Sequence, residues 1–65
     1  MTYTEFKHIT YHTPLSEEIR EKIAKAYGKN YASVTLEDIS IKDAYVLTDL
    51  GYIIHHKNNK IEIQL

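Results

Sequence analysis

The sequence predicts an α+β fold: a three-stranded, mainly antiparallel sheet packed on helices, in the order β-α-α-β-β. Three observations carry that reading. Leu15, Ile19, Ile23, Ala26 and Tyr27 recur at helical spacing and form one apolar stripe. From Tyr52 to Leu65, apolar and polar residues alternate on either side of Asn58-Asn59, a dipeptide that tolerates positive φ. Between Thr2 and His12, the residues Tyr3, Thr4, Phe6, Ile9, Thr10 and Tyr11 are strand formers. The whole chain, residues 1–65, reads as a single domain.

The first strand is expected over Thr2–His12, although its alternation is imperfect. Phe6 and His8 fall on one face and Tyr3, Ile9 and Tyr11 on the other, so either a bulge near Lys7-His8 corrects the phase or both faces are partly covered. Thr13-Pro14 then supplies an N-cap and a first helical residue. Glu17 and Glu18 suit the positive end of this helix, Lys25 and Lys29 its negative end, and Gly28 its termination. Glu18–Lys22 and Glu21–Lys25 are i,i+4 pairs in the favourable order.

The stretch from Lys29 to Val34 reads as a connection. Thr35 and Ser40 are each followed three residues later by an Asp, which places a helical segment up to Leu50, firmest from Ile41 onward. Gly51 is the expected C′ residue, which brings Leu47 and Tyr52 into contact. A rival reading makes Ala44–Leu47 a strand turning at Asp49-Leu50-Gly51, supported by β-branched Val46 and Thr48. In the final hairpin, a turn at Asn58-Asn59 pairs Lys57 with Lys60, His56 with Ile61, and Ile54 with Ile63. Tyr52, Ile54, His56, Ile61, Ile63 and Leu65 then share the core face.

Eight basic and nine acidic residues leave a net charge of −1, so no global field favours nucleic acid or membrane. The chain has no Cys, which excludes disulfides and thiolate zinc sites and fits a reducing compartment. Residues 1–10 lack both the basic and the apolar region of a signal peptide, and no apolar run approaches a membrane span. A cytoplasmic location is therefore expected. Seven Lys against one Arg, with nine Ile, is the bias of AT-rich coding sequence such as that of a low-GC bacterium or its phages. A small core leaves little surplus stability, so self-association or a partner is expected to contribute, a homodimer included.

Catalytic machinery is not expected. Ser16, Ser33 and Ser40 lie in no Gly-x-Ser-x-Gly turn, and Gly28 and Gly51 read as helix terminators, not parts of a phosphate loop. Of the four His, His8 and His12 are about 13 Å apart if they lie on a strand, too far to share one ion, and His55 and His56 point to opposite faces. A His-based metal or enzymatic site would need residues from two strands plus a carboxylate, and no cofactor is expected. A winged-helix-like nucleic-acid-binding domain, with residues 55–60 as the wing, is a further alternative. The acids of the helix that would enter the groove oppose it.

The features left over are six Tyr and a run of acids. Glu37, Asp38, Asp43 and Asp49 face only Lys42 between Thr35 and Leu50. Tyr27 and Tyr52 suit the core, whereas Tyr31 and Tyr45 are expected at the surface. Tyr31, Glu37, Asp38, Asp43, Tyr45 and Asp49 would form an aromatic–acidic patch suited to a basic protein surface. Ile53 beside His55 would offer a second contact on the polar face of the hairpin, and an open sheet edge a third. The expected function is that of a non-enzymatic protein-interaction module, a small regulator or inhibitor of a larger protein. Reversing Asp43 and Asp49 to Lys is expected to weaken partner binding without disturbing the fold.

Overall fold

The computed structural model describes residues 1–65. It contains helix α1 (Tyr3–Ile9), helix α2 (Glu17–Gly28), strand β1 (Ser33–Leu36), helix α3 (Ile41–Asp49) and strands β2 (Ile53–Lys57) and β3 (Lys60–Gln64). The class is the expected α+β with a three-stranded antiparallel sheet, but the order is α-α-β-α-β-β.

The first correction is at the N-terminus, where Thr2–His12 is not a strand. Thr2 and Glu5 form a capping box: the Glu5 N–H donates to Thr2 Oγ1 at 3.1 Å, and the Thr2 N–H donates to Glu5 Oε1 at 2.9 Å. Phe6 and Thr10, one turn apart, are the buried positions, at 1% exposure each. A seven-residue helix is marginal in isolation, so tertiary contacts decide its state over the strand propensity of its residues. Phe6 packs against the rings of Tyr27 and Tyr52, with centroids 5.5 and 6.3 Å away, and the two Tyr hydroxyls share a hydrogen bond of 2.7 Å. Arg20 closes the other side, donating from Nη2 to the carbonyls of Thr10 and Thr13, both at 3.0 Å.

The start of α2 is also displaced from Thr13-Pro14. The Thr13 hydroxyl donates to the Thr10 carbonyl at 2.8 Å, and Ser16 caps the helix instead. At the far end, Gly28 is the last helical residue, and Asn30 (φ 59°) takes the left-handed position. The N–H groups of Asn30 and Tyr31 bond to the carbonyls of Tyr27 and Ala26, completing a Schellman ending.

The second correction is β1, which falls across the expected connection and the expected start of the third helix. Val34 and Leu36 are buried while Thr35 is exposed, a strand alternation that favours β-branched Thr35 in the ladder over a capping role. Ser40 caps α3, and the helix excludes the rival strand at Ala44–Leu47. Gly51 has φ 96°, and the Tyr52 N–H bonds to the Leu47 carbonyl at 3.0 Å, as the sequence predicts.

The sheet order is β1-β3-β2, all antiparallel. Asn58 and Asn59 both have positive φ, the signature of a type I′ turn, and the hairpin has the expected register. One face carries Val34, Ile63 and Ile54 in one row and Leu36, Ile61 and His56 in the next. Ile61 and Ile63 are buried; His56, at the hairpin end, is exposed. This face meets α2 under β1 and α3 under β2. The opposite face is open and presents Ser33, Gln64 and Ile53, then Thr35, Glu62 and His55.

The two glycines differ in what they do, and substitution separates them. A Cβ at Gly28 would meet only Tyr3 Cβ, at an ordinary 3.5 Å, so Gly28→Ala is expected to stabilise by about 0.5–1 kcal/mol. Gly51→Ala forces a side chain into the left-handed region and is expected to cost about 1–2 kcal/mol. Urea midpoints of the two variants should move in opposite directions.

Candidate functional site

The surface with the most unexplained side chains is the outer face of α3. Its inner face is set by Leu47, fully buried, with Ala44 and Val46 half-buried beside it. At 100° per residue the opposite side belongs to Ile41, Tyr45, Thr48 and Asp49. Ile41 is 78% exposed and Tyr45 is 69% exposed, one turn apart, so two large apolar side chains stand together in solvent. Thr48 turns its hydroxyl back to the Ala44 carbonyl at 2.8 Å. The Asp49 carboxylate makes no hydrogen bond or ion pair within the chain and sits in the last turn, where the helix dipole disfavours an acid.

Asp43, expected on this surface, is instead internal, at 5% exposure. Its N–H donates to Ser40 Oγ at 3.1 Å, and its carboxylate accepts the Ser16 N–H at 2.9 Å. One carboxylate thus joins the starts of α2 and α3. Burial opposes its ionisation, but the Ser16 N–H and the hydroxyls of Ser16 and Ser40 together outweigh that and hold its pKa below the ordinary Asp value. Reversing it to Lys, expected from the sequence to be harmless to the fold, would break this junction.

The other expected contact residues are dispersed. Glu37 and Asp38 lie in the bend between β1 and α3, and neither is ion-paired; the Asp38 carboxylate accepts the N–H of Ile39 at 2.8 Å. They share a cleft of about 440 Å³ with Lys57, Asn58, Asn59 and Lys60 of the hairpin tip. Tyr31 stands on the far side, between α2 and β1, 57% exposed and with the Lys29 ammonium 5.9 Å from its ring. Ile53 (57% exposed) and half-buried His55 lie on the open sheet face, away from Tyr3 and Ile9, which belong to α1. The structure therefore brings together Tyr45 and Asp49, adds Ile41, keeps Glu37 and Asp38 together at the hairpin-tip cleft, and separates the rest. Ile41 was legible as the i−4 neighbour of Tyr45 lying outside the Val46–Leu47 core stripe.

No three His, Asp or Glu side chains are grouped so as to hold a metal ion. His8 lies on α1 and not on a strand, but the helix ends at Ile9, and His12 stacks edge-on against Tyr11 at 4.7 Å. The other perturbed groups are structural. Lys7, held by Glu21 at 2.8 Å and Glu17 at 3.0 Å, has a raised pKa, and both partners are lowered. Burial and the Tyr27 hydroxyl raise the Tyr52 phenol. No helix is long and apolar enough to cross a membrane. No protein-family model, curated protein or solved structure matches this chain. The fold and site define a small two-layer α+β domain with an apolar–acidic helix face.

The Asp43 junction has a pH signature. Its folded-state pKa lies below the unfolded value of about 4, so its contribution is present above that pH and is lost as pH falls through the folded pKa. Asp43→Asn should lower the melting temperature at neutral pH and flatten its fall in acid, so that the two curves converge. Asp43→Ala, which strands the Ser16 N–H, is expected to cost about 1–3 kcal/mol.

Proposed function

We propose that this protein is a non-enzymatic interaction module that binds a larger protein through the outer face of α3. The observation that carries the reading is the exposed pair Ile41 and Tyr45, with unpaired Asp49 one turn further along. Solvated alone, such side chains gain nothing for the fold, and an acid at a helix C-terminus opposes the dipole. Seated in an apolar groove with a basic rim, the same three residues become an anchor pair and a charge contact, the helix-in-groove mode of recognition.

Glu37 and Asp38 extend the acidic character towards the hairpin tip and favour a basic protein rim over nucleic acid. Phosphates approaching Lys57 and Lys60 would meet those two carboxylates in the same cleft. A Cys-free, Lys- and Ile-rich chain suits a cytoplasmic regulator or inhibitor of bacterial or phage origin.

Ile41→Ala and Tyr45→Ala should each weaken partner binding about tenfold while changing unfolding free energy by less than about 0.5 kcal/mol. The partner is identified with a photo-crosslinking phenylalanine analogue placed at Tyr45 and, as a control, at Tyr11, which is 73% exposed on another surface. One dominant adduct specific to position 45 supports the reading. Identical adducts from both positions, or none from position 45, would count against it.

A further inference from the structure

A second surface, independent of the α3 face and of opposite charge, lies at the other side of the sheet. We infer that the cleft between α2 and the free edge of β1 binds an extended acidic segment of a partner protein as a fourth strand.

The backbone supplies the first half of the argument. β3 is central, so β1 has a neighbour on one side only. The Ala32 carbonyl accepts the Leu65 N–H at 3.0 Å, which fixes the alternation of the ladder: Val34 and Leu36 bond to β3, and Ser33 and Thr35 direct their N–H and C=O groups outward. Proteins commonly blunt such edges with Lys, Pro or a bulge, and β1, Ser-Val-Thr-Leu, contains none of these. A cleft of about 430 Å³ opens directly on Ser33–Thr35, so nothing in the chain covers the edge.

The charge of the cleft supplies the second half. Its other wall is a lysine row, Lys22, Lys25 and Lys29, with Tyr31 at one end. Lys25 and Lys29 form no ion pair, and Lys22 approaches Glu18 only to 4.0 Å. Glu21 is the i−4 partner that should neutralise Lys25, but its carboxylate accepts from Lys7 at 2.8 Å and from the Tyr3 hydroxyl at 2.7 Å. Helix α1 thereby holds the Glu21 carboxylate in hydrogen bonds of its own and leaves Lys25 without a direct ion-pair partner. The row extends about 10 Å along α2, matching acidic side chains at alternate strand positions about 7 Å apart. A second copy of this chain is a poor occupant, because pairing β1 with its own copy sets two lysine rows face to face.

The probe is a fluorescein-labelled peptide of three Glu-Val repeats, followed by anisotropy and by amide resonances of the protein. Binding should shift the Ser33 and Thr35 amides, weaken with added salt, and fall about tenfold in the Lys25→Glu/Lys29→Glu variant. Thr35→Pro removes an outward donor without touching the β3 ladder and should weaken binding comparably. Should that variant not fold, a probe methylated on alternate backbone nitrogens makes the same test on the intact protein. No binding of the Glu-Val peptide would overturn the inference, as would equal binding of a Lys-Val peptide. So would binding of an oligonucleotide that is indifferent to Thr35→Pro, or a dimer of the free protein that Thr35→Pro dissociates. Tyr45→Ala should leave peptide binding unchanged, so failure here does not bear on the α3 surface.

Discussion

The bond from the Ser16 N–H to the Asp43 carboxylate constrains this architecture more than any other contact. It ties the N-cap residue of α2 to the first turn of α3, across a separation in sequence that spans all of α2 and β1. The buried charge has no ion-pair partner; N–H and hydroxyl dipoles at two helix starts hold it, with a smaller contribution from the Lys42 charge, where the macrodipoles favour an anion. With that junction set, the rotation of α3 follows. Leu47 turns into the core, and Ile41 and Tyr45 have nowhere to go but solvent.

A second constraint acts through α1, which rests on its neighbours for its existence. Phe6 enters the gap between Tyr27 and Tyr52, Arg20 holds the turn that follows, and Lys7 reaches across to Glu17 and Glu21. These contacts redistribute charge as well as stabilise. A chain whose net charge is only −1 ends up with unpaired acids on the α3 side and unpaired lysines beside β1. Its two candidate contact surfaces, if both are used, would therefore select partners of opposite sign.

The elements set by local chemistry were legible in the sequence. The hairpin followed from Asn58-Asn59 and flanking alternation, the body of α2 from its apolar stripe, and the end of α3 from Gly51. What was missed depended on distant partners. Tyr3–Ile9 is rich in strand formers, and only the Thr2–Glu5 capping box and the broken alternation hinted at a helix that the Phe6 contacts stabilise. β1 is four residues long and was masked by Thr35 and Asp38, which imitate a capping pair. Of the candidate site, Tyr31, Tyr45 and Ile53 are exposed as expected, but composition alone could not tell a solvated acid from Asp43, whose partner lies on another helix.

The placement of β3 has a consequence for how the molecule folds. The strand that joins the other two, Lys60–Gln64, follows both of them in the sequence. β2 reaches it across a two-residue turn, whereas all of α3 and β2 separate β1 from it in the chain. Until β1 and β3 meet, the helices have no complete sheet to cover, and Val34 and Leu36 remain without their ladder. The closure of β1 onto β3 is thus the most non-local strand pairing in the sheet and carries its largest loop-closure cost, so the sheet is completed from the hairpin outward.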